Sequence, residues 1–165
     1  MTTEETTARY LDRAATYVAR GEKCLLQVRQ KLKEWSQDEL TPAQIASILN
    51  TLQEHGLVNE ERYAQAYVSD KRNFSNKGPY LIKQELLERG LPTRIVEEAL
   101  GEVPEQAWLE ALQRHLQSKV ASLHGKTPYE VRDKLFRAGK SKGYSTPMVL
   151  KVIRQQELPT DGLEE

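Results

Sequence analysis

A chain of 165 residues with one cysteine, Cys24, cannot be a disulfide-stapled scaffold. It has no apolar run near the roughly 18 residues that span a bilayer, and it opens on Glu4 and Glu5 where a signal peptide needs base, so a membrane protein or secreted precursor is not expected and a cytoplasmic location is. Charge is balanced, with 24 basic and 24 acidic residues, and the mean hydropathy of −0.67 suits thin, well-exposed helical packing rather than a thick core.

In chain order, apolar residues recur at helical spacing. Leu25, Val28 and Leu32 form one stripe, and Ile45, Ile48, Leu49 and Leu52 the next. Tyr63 and Tyr67 lie one turn apart, and Leu109, Leu112, Leu116 and Val120 form a later stripe. Thr41-Pro42 and Thr146-Pro147 are helix starts, an N-cap followed by proline in the first turn. Gly21, Gly56, Gly90, Gly101, Gly125 and Gly143 fall near expected helix ends. These signals predict nine helices, over 8–20, 23–35, 42–55, 60–73, 79–89, 93–100, 104–123, 128–138 and 146–155. β-branched runs are absent, so the expected class is all-α.

The nine helices group in threes. The middle helix of each group carries a β-branched, basic, polar, charged, Leu pattern: Val28–Leu32, Ile82–Leu86 and Val131–Leu135. The helix that follows repeats as well, through Ile45/Ile48/Leu49, Ile95/Val96/Ala99/Leu100 and Val149/Leu150/Val152/Ile153. The expectation is a tandem array of three three-helix repeats, 8–57, 58–102 and 103–156, elongated and curved, with an acidic tail over 157–165.

No catalytic signature is found. His55, His115 and His124 have no metal-ligand spacing and do not cluster with Cys24. Gly139-Lys140-Ser141 fails as a phosphate loop, because Lys134 stands where the first glycine belongs and a helix precedes it. An enzyme, a cofactor or a bound metal is therefore not expected. Charge is distributed unevenly instead. Between Arg114 and Arg154 ten basic residues face only Glu130 and Asp133, a balance of +8, which suggests an anionic partner surface. A second basic group, Lys71, Arg72, Lys77 and Lys83, surrounds Asn76-Lys77-Gly78-Pro79, a tight turn between helices in which Gly78 permits positive φ.

Two stretches resemble a known family. Gly56-Leu57-Val58-Asn59-Glu60-Glu61-Arg62-Tyr63-Ala64 is similar to a G-L-L-D-D-E-R-F-A segment. Lys77-Gly78-Pro79 with Ile82, Glu85-Leu86 and Gly90 resembles a G-x-G-P-x-x-I-x-x-E-L-x-x-K-G segment, with Asn76 in place of its first glycine. Together they resemble the RecX family, bacterial regulators of the RecA recombinase. The likeness is sharpest over 56–100 and looser over 8–55 and 104–155. Two departures stand out. Glu22–Leu26 lacks the Ser-x-x-Glu-Leu helix start, and Arg137-Ala138-Gly139 replaces an Arg-Gly pair.

The resemblance implies a non-enzymatic modulator, most simply an inhibitor, that lies in the groove of the RecA filament on single-stranded DNA and alters strand exchange and ATP hydrolysis. The implied partners are the filament and, weakly, DNA, with no membrane, and the chain acting as a monomer. On that reading the contact residues are Lys71, Arg72, Lys77 and Lys83 in the middle repeat and Lys134, Arg137, Lys140 and Lys142 in the third. The alternative is a helix-turn-helix-like protein that reads DNA directly, for which only Gln44 and Arg94 stand at the start of a candidate recognition helix.

Overall fold

The structure, a computed structural model, describes residues 2–155. The acidic tail expected over 157–165 lies outside them. Nine α-helices and one short 3-10 turn make up the described secondary structure: α1 (Thr3–Val18), α2 (Leu25–Ser36), α3 (Pro42–Glu54), α4 (Glu60–Ser75), α5 (Pro79–Glu88), α6 (Thr93–Gly101), α7 (Glu105–Val120), the 3-10 turn Ala121–Leu123, α8 (Pro128–Ser141) and α9 (Thr146–Gln155). The all-α class and the number of helices follow the reading of the sequence.

Most helix limits fall within two residues of expectation; α7 passes into the 3-10 turn over the last part of its expected span, and two other limits differ for a local reason. α1 begins at Thr3 rather than residue 8, because Thr2 and Glu5 form a reciprocal capping box. α8 runs on to Ser141 rather than stopping at 138, because Gly139 is a packing glycine inside the helix. Of the six glycines expected to end helices in the left-handed region, Gly56, Gly90, Gly125 and Gly143 do so; Gly21 and Gly101 do not. α2 ends instead on Gln37 and Asp38, consecutive non-glycine residues at φ 45° and 72°. Its start lacks a Ser cap, but the Gln27 side chain accepts from the Cys24 backbone N–H at 2.9 Å, which supplies half of a capping box.

The repeated pattern marks core positions. Val28 and Leu32 of α2, Ile82 and Leu86 of α5, and Val131 and Leu135 of α8 are all buried. So are Ile45, Ile48 and Leu49 of α3, Val96 and Ala99 of α6, and Val149 and Val152 of α9.

By internal contacts the described chain divides into two compact units, with divisions that fall inside α4, α5 and α6. The first comprises the described residues up to Ala66 with Leu86–Val96, and the second Tyr67–Glu85 with the described residues from Glu97 onward. In the first, α1, α2 and α3 enclose Tyr10, Ala14, Val28, Leu32, Ile48 and Leu52. The Gly56–Ala64 segment closes its α3–α4 turn. Asn59 Oδ1 accepts from the Arg62 backbone N–H at 2.9 Å, and the Arg62 guanidinium donates to the Gly56 carbonyl at 3.1 Å and pairs with Glu22. In the second unit, α7, α8 and α9 pack on one another around Leu112, Leu116, Leu135 and Val149. A Cβ on Gly139 would lie 2.7 Å from Val149 Cγ2 and 3.4 Å from Leu112 Cδ1, so the glycine sets how closely these helices meet.

Candidate partner-binding surface

All eight basic residues singled out in the sequence belong to the second unit. Its organising feature is the docking of the α4–α5 turn onto the α8–α9 turn. The Gly78 N–H donates to the Lys142 carbonyl at 2.8 Å, and the Tyr80 N–H to the Gly143 carbonyl at 3.1 Å. Tyr144, buried beneath, donates its hydroxyl to the Asn76 carbonyl at 2.8 Å. From α7, Arg114 Nε donates to Asn76 Oδ1 at 3.1 Å and its Nη2 to the Arg72 carbonyl at 3.4 Å.

The two special residues of the turn have different reasons. Asn76 sits at φ 54°, the left-handed position that the resemblance gives to glycine. Gly78 does not use positive φ, contrary to the sequence reading; it is glycine because a Cβ there would lie 2.4 Å from the Gly143 oxygen.

The eight cations divide by environment. Lys77 pairs with Glu85 at 2.6 Å, and Glu85 also accepts from the Tyr67 hydroxyl at 2.7 Å. Lys83 pairs with Glu97 at 3.2 Å. Lys71 Nζ lies 5.3 Å from the centre of the Tyr67 ring, and the Arg72 guanidinium 6.0 Å from that of Trp108. These four are thus tied into their own unit. On α8, Lys134, Arg137 and Lys140 follow three-residue spacing on the side opposite the buried Val131, Leu135 and Gly139, and all three are exposed. Arg137 makes an i, i+4 pair with Asp133 at 3.2 Å. Lys142 lies beyond α8 as its C-cap, off that row and half-buried.

Burial dominates the titration of the groups beneath. It pushes the Tyr144 phenol well above its usual range, against the opposing pull of Arg114 and Arg72. It also lowers His115, and the Lys142 and Lys119 charges push the same way. The sequence reading missed Arg114 and Tyr144 as site residues. Arg114 was visible only as the first member of the basic stretch, and a tyrosine after a helix-ending glycine carries no signal of where its hydroxyl will go.

Gln44, one of two residues offered as a direct DNA reader, is engaged by the fold. It forms a capping box with Thr41, and its Nε2 donates to Thr7 at 3.3 Å. Among the described residues no group of His, Cys, Asp and Glu could hold a metal ion, and no helix is long and apolar enough to cross a membrane.

A family model described as RecX, second three-helix domain, matches residues 59–100, which include the docked turn. Regulatory protein RecX of Streptococcus agalactiae serotype V is 29% identical over 139 residues, 83% of this chain and 53% of that protein. Its namesake in Lactococcus lactis subsp. cremoris SK11 is 30% identical over 124 residues, 74% and 46%. The crystal structure of RecX from Lactobacillus salivarius superposes with a TM-score of 0.82 at 25% identity, covering 94% of this chain and 98% of that one. The chain belongs to the RecX family. A second RecX crystal structure, of a regulatory protein RecX, shares the fold with a TM-score of 0.85 at 20% identity over 93% of this chain. The chain spans about half the length of the curated RecX relatives it matches. Those RecX proteins are named as regulators rather than for a reaction.

Proposed function

We propose that this chain regulates the RecA recombinase by binding its filament on single-stranded DNA, and that it restrains strand exchange and ATP hydrolysis without chemistry of its own. The observation that carries the reading is the exposed row Lys134, Arg137 and Lys140, in the same compact unit as the docked α4–α5 turn. A compact unit that presents cations at regular spacing suits an acidic filament face or DNA phosphates, to which charge complementarity gives fast, oriented association. The chain acts in this reading as a cytoplasmic monomer, and its repeats over 8–57, 58–102 and 103–156 supply the length of contact. Weak binding to free DNA would follow from the same cations.

The test is co-sedimentation with RecA, with and without single-stranded DNA and a slowly hydrolysed ATP analogue. Binding that requires the assembled filament, with a fall in RecA ATP hydrolysis, is expected. Equal recovery on DNA lacking RecA would favour the direct DNA reader.

A further inference from the structure

Large apolar side chains of the second unit are mostly buried: Trp108, Leu112, Leu116, Ile82 and Tyr144 among them. Phe74 is 84% exposed and Tyr80 63% exposed. They bracket the docked turn, Phe74 as the penultimate residue of α4 and Tyr80 as the second of α5. Tyr129, at the start of α8, is also exposed, but the hydrogen bonds around it are those of its own helix cap, Thr127 with Glu130 and Val131, rather than of a turn docked on another. The Phe74–Tyr80 segment is pinned at Asn76, Gly78 and Tyr80 by the hydrogen bonds from Tyr144 and Arg114 and to Lys142 and Gly143. An aromatic side chain on a fixed backbone loses little conformational freedom on binding, which is the property of an interface anchor.

The surrounding charge decides what the anchors meet. Lys71 and Arg72, in the turn before Phe74, and Arg114, on Asn76, outweigh the single carboxylate of Asp70 and make the frame positive. A single strand of nucleic acid would need cations free to follow successive phosphates. Lys77 and Lys83 are instead paired with Glu85 and Glu97, and Arg72 lies over Trp108. A few fixed cations around two exposed rings fit a protein surface whose apolar pockets are rimmed by carboxylates.

We infer that Phe74 and Tyr80 are the anchor residues by which this chain docks on a protein partner, entering apolar pockets with acidic rims. The inference rests on the reading above, in which that partner is a RecA protomer of the filament. The experiment measures binding of the labelled full chain to RecA filaments and, separately, to bare oligothymidylate, for wild type, Phe74→Ala, Tyr80→Ala and the double variant. Each single variant should weaken filament binding at least tenfold and the double variant further, with little change on oligothymidylate. Thermal melting should stay the same, since both side chains are exposed, and Phe74→Tyr should restore most of the affinity. Wild-type binding that neither variant disturbs overturns the inference and leaves the filament reading standing. No wild-type binding overturns the filament reading and the inference with it. An equal loss on bare oligothymidylate would assign the rings to base stacking. Loss of self-association alone, seen by sedimentation, would assign them to a second copy of the chain. Either of these last results overturns the inference.

Discussion

A Cβ on Gly78 would lie 2.4 Å from the carbonyl oxygen of Gly143, so the two turns of the second unit meet backbone to backbone. Gly78→Ala must separate them and break the Gly78–Lys142 hydrogen bond, at a cost of about 1–3 kcal/mol. Gly143→Ala should cost at least as much, because Gly143 has φ 101° and its Cβ would meet Leu81 Cβ at 2.5 Å. Gly56→Ala, at φ 70° in open space, should lose only the left-handed penalty, about 1–2 kcal/mol. Gly101→Ala, with neither constraint, should be neutral or slightly stabilising. Urea unfolding of the four variants gives this order or refutes the contact.

The α8–α9 crossing gives a second prediction. Gly139→Ala drives a methyl group into Val149 and should destabilise by about 1–3 kcal/mol. Val149→Ala alone leaves a cavity and also destabilises, by about 1–3 kcal/mol. Combined, the two should cost clearly less than their sum, because the new methyl occupies space that the valine vacates. Strict additivity in a double-mutant cycle would mean the helices simply move apart.

Burial of Tyr144 and His115 makes stability depend on pH at both ends. The Tyr144 phenol is raised above its ordinary 10.0, so the folded state holds that proton more tightly than the unfolded state does. Its contribution is full below pH 10 and declines as pH rises beyond it. His115 is lowered from 6.5, so the unfolded state binds its proton more readily, and stability is lost as pH falls below about 6.5. Tyr144→Phe should reduce the alkaline loss, to which the raised Tyr10, Tyr63 and Cys24 also contribute, while costing about 1 kcal/mol at neutral pH through the missing hydroxyl bond to Asn76. His115→Gln should flatten the acidic loss. Melting temperatures from pH 5 to 11 check both signs.

For the exposed row, reversing Lys134, Arg137 and Lys140 to Glu should weaken filament binding by roughly tenfold or more and reduce its salt dependence. The same reversal at Arg20, Arg29 and Lys33, exposed residues of the first unit, should cost much less. Net charge changes equally in the two sets, so equal losses would mean that only bulk charge matters. Circular dichroism must accompany both, since Arg137→Glu also replaces the Asp133 pair with a repulsion worth a few tenths of a kcal/mol.

The sequence by itself determined the helices and their buried faces. Helical spacing is a local property, and Val28/Leu32, Ile82/Leu86 and Val131/Leu135 had to find cover wherever their helices packed. Caps are equally local, and Thr2-x-x-Glu5 was legible although the predicted α1 started too late. Only the tertiary structure decided how the basic residues divide. Lys77 and Lys83 read like Lys134 and Lys140 in the chain. Their pairing with Glu85 and Glu97 depends on which turn of which helix faces them. Gly78 shows the same limit. Its type suggested a free backbone dihedral, but the reason for it is the Gly143 carbonyl, 65 residues away along the chain, and no local pattern encodes a contact between two backbones.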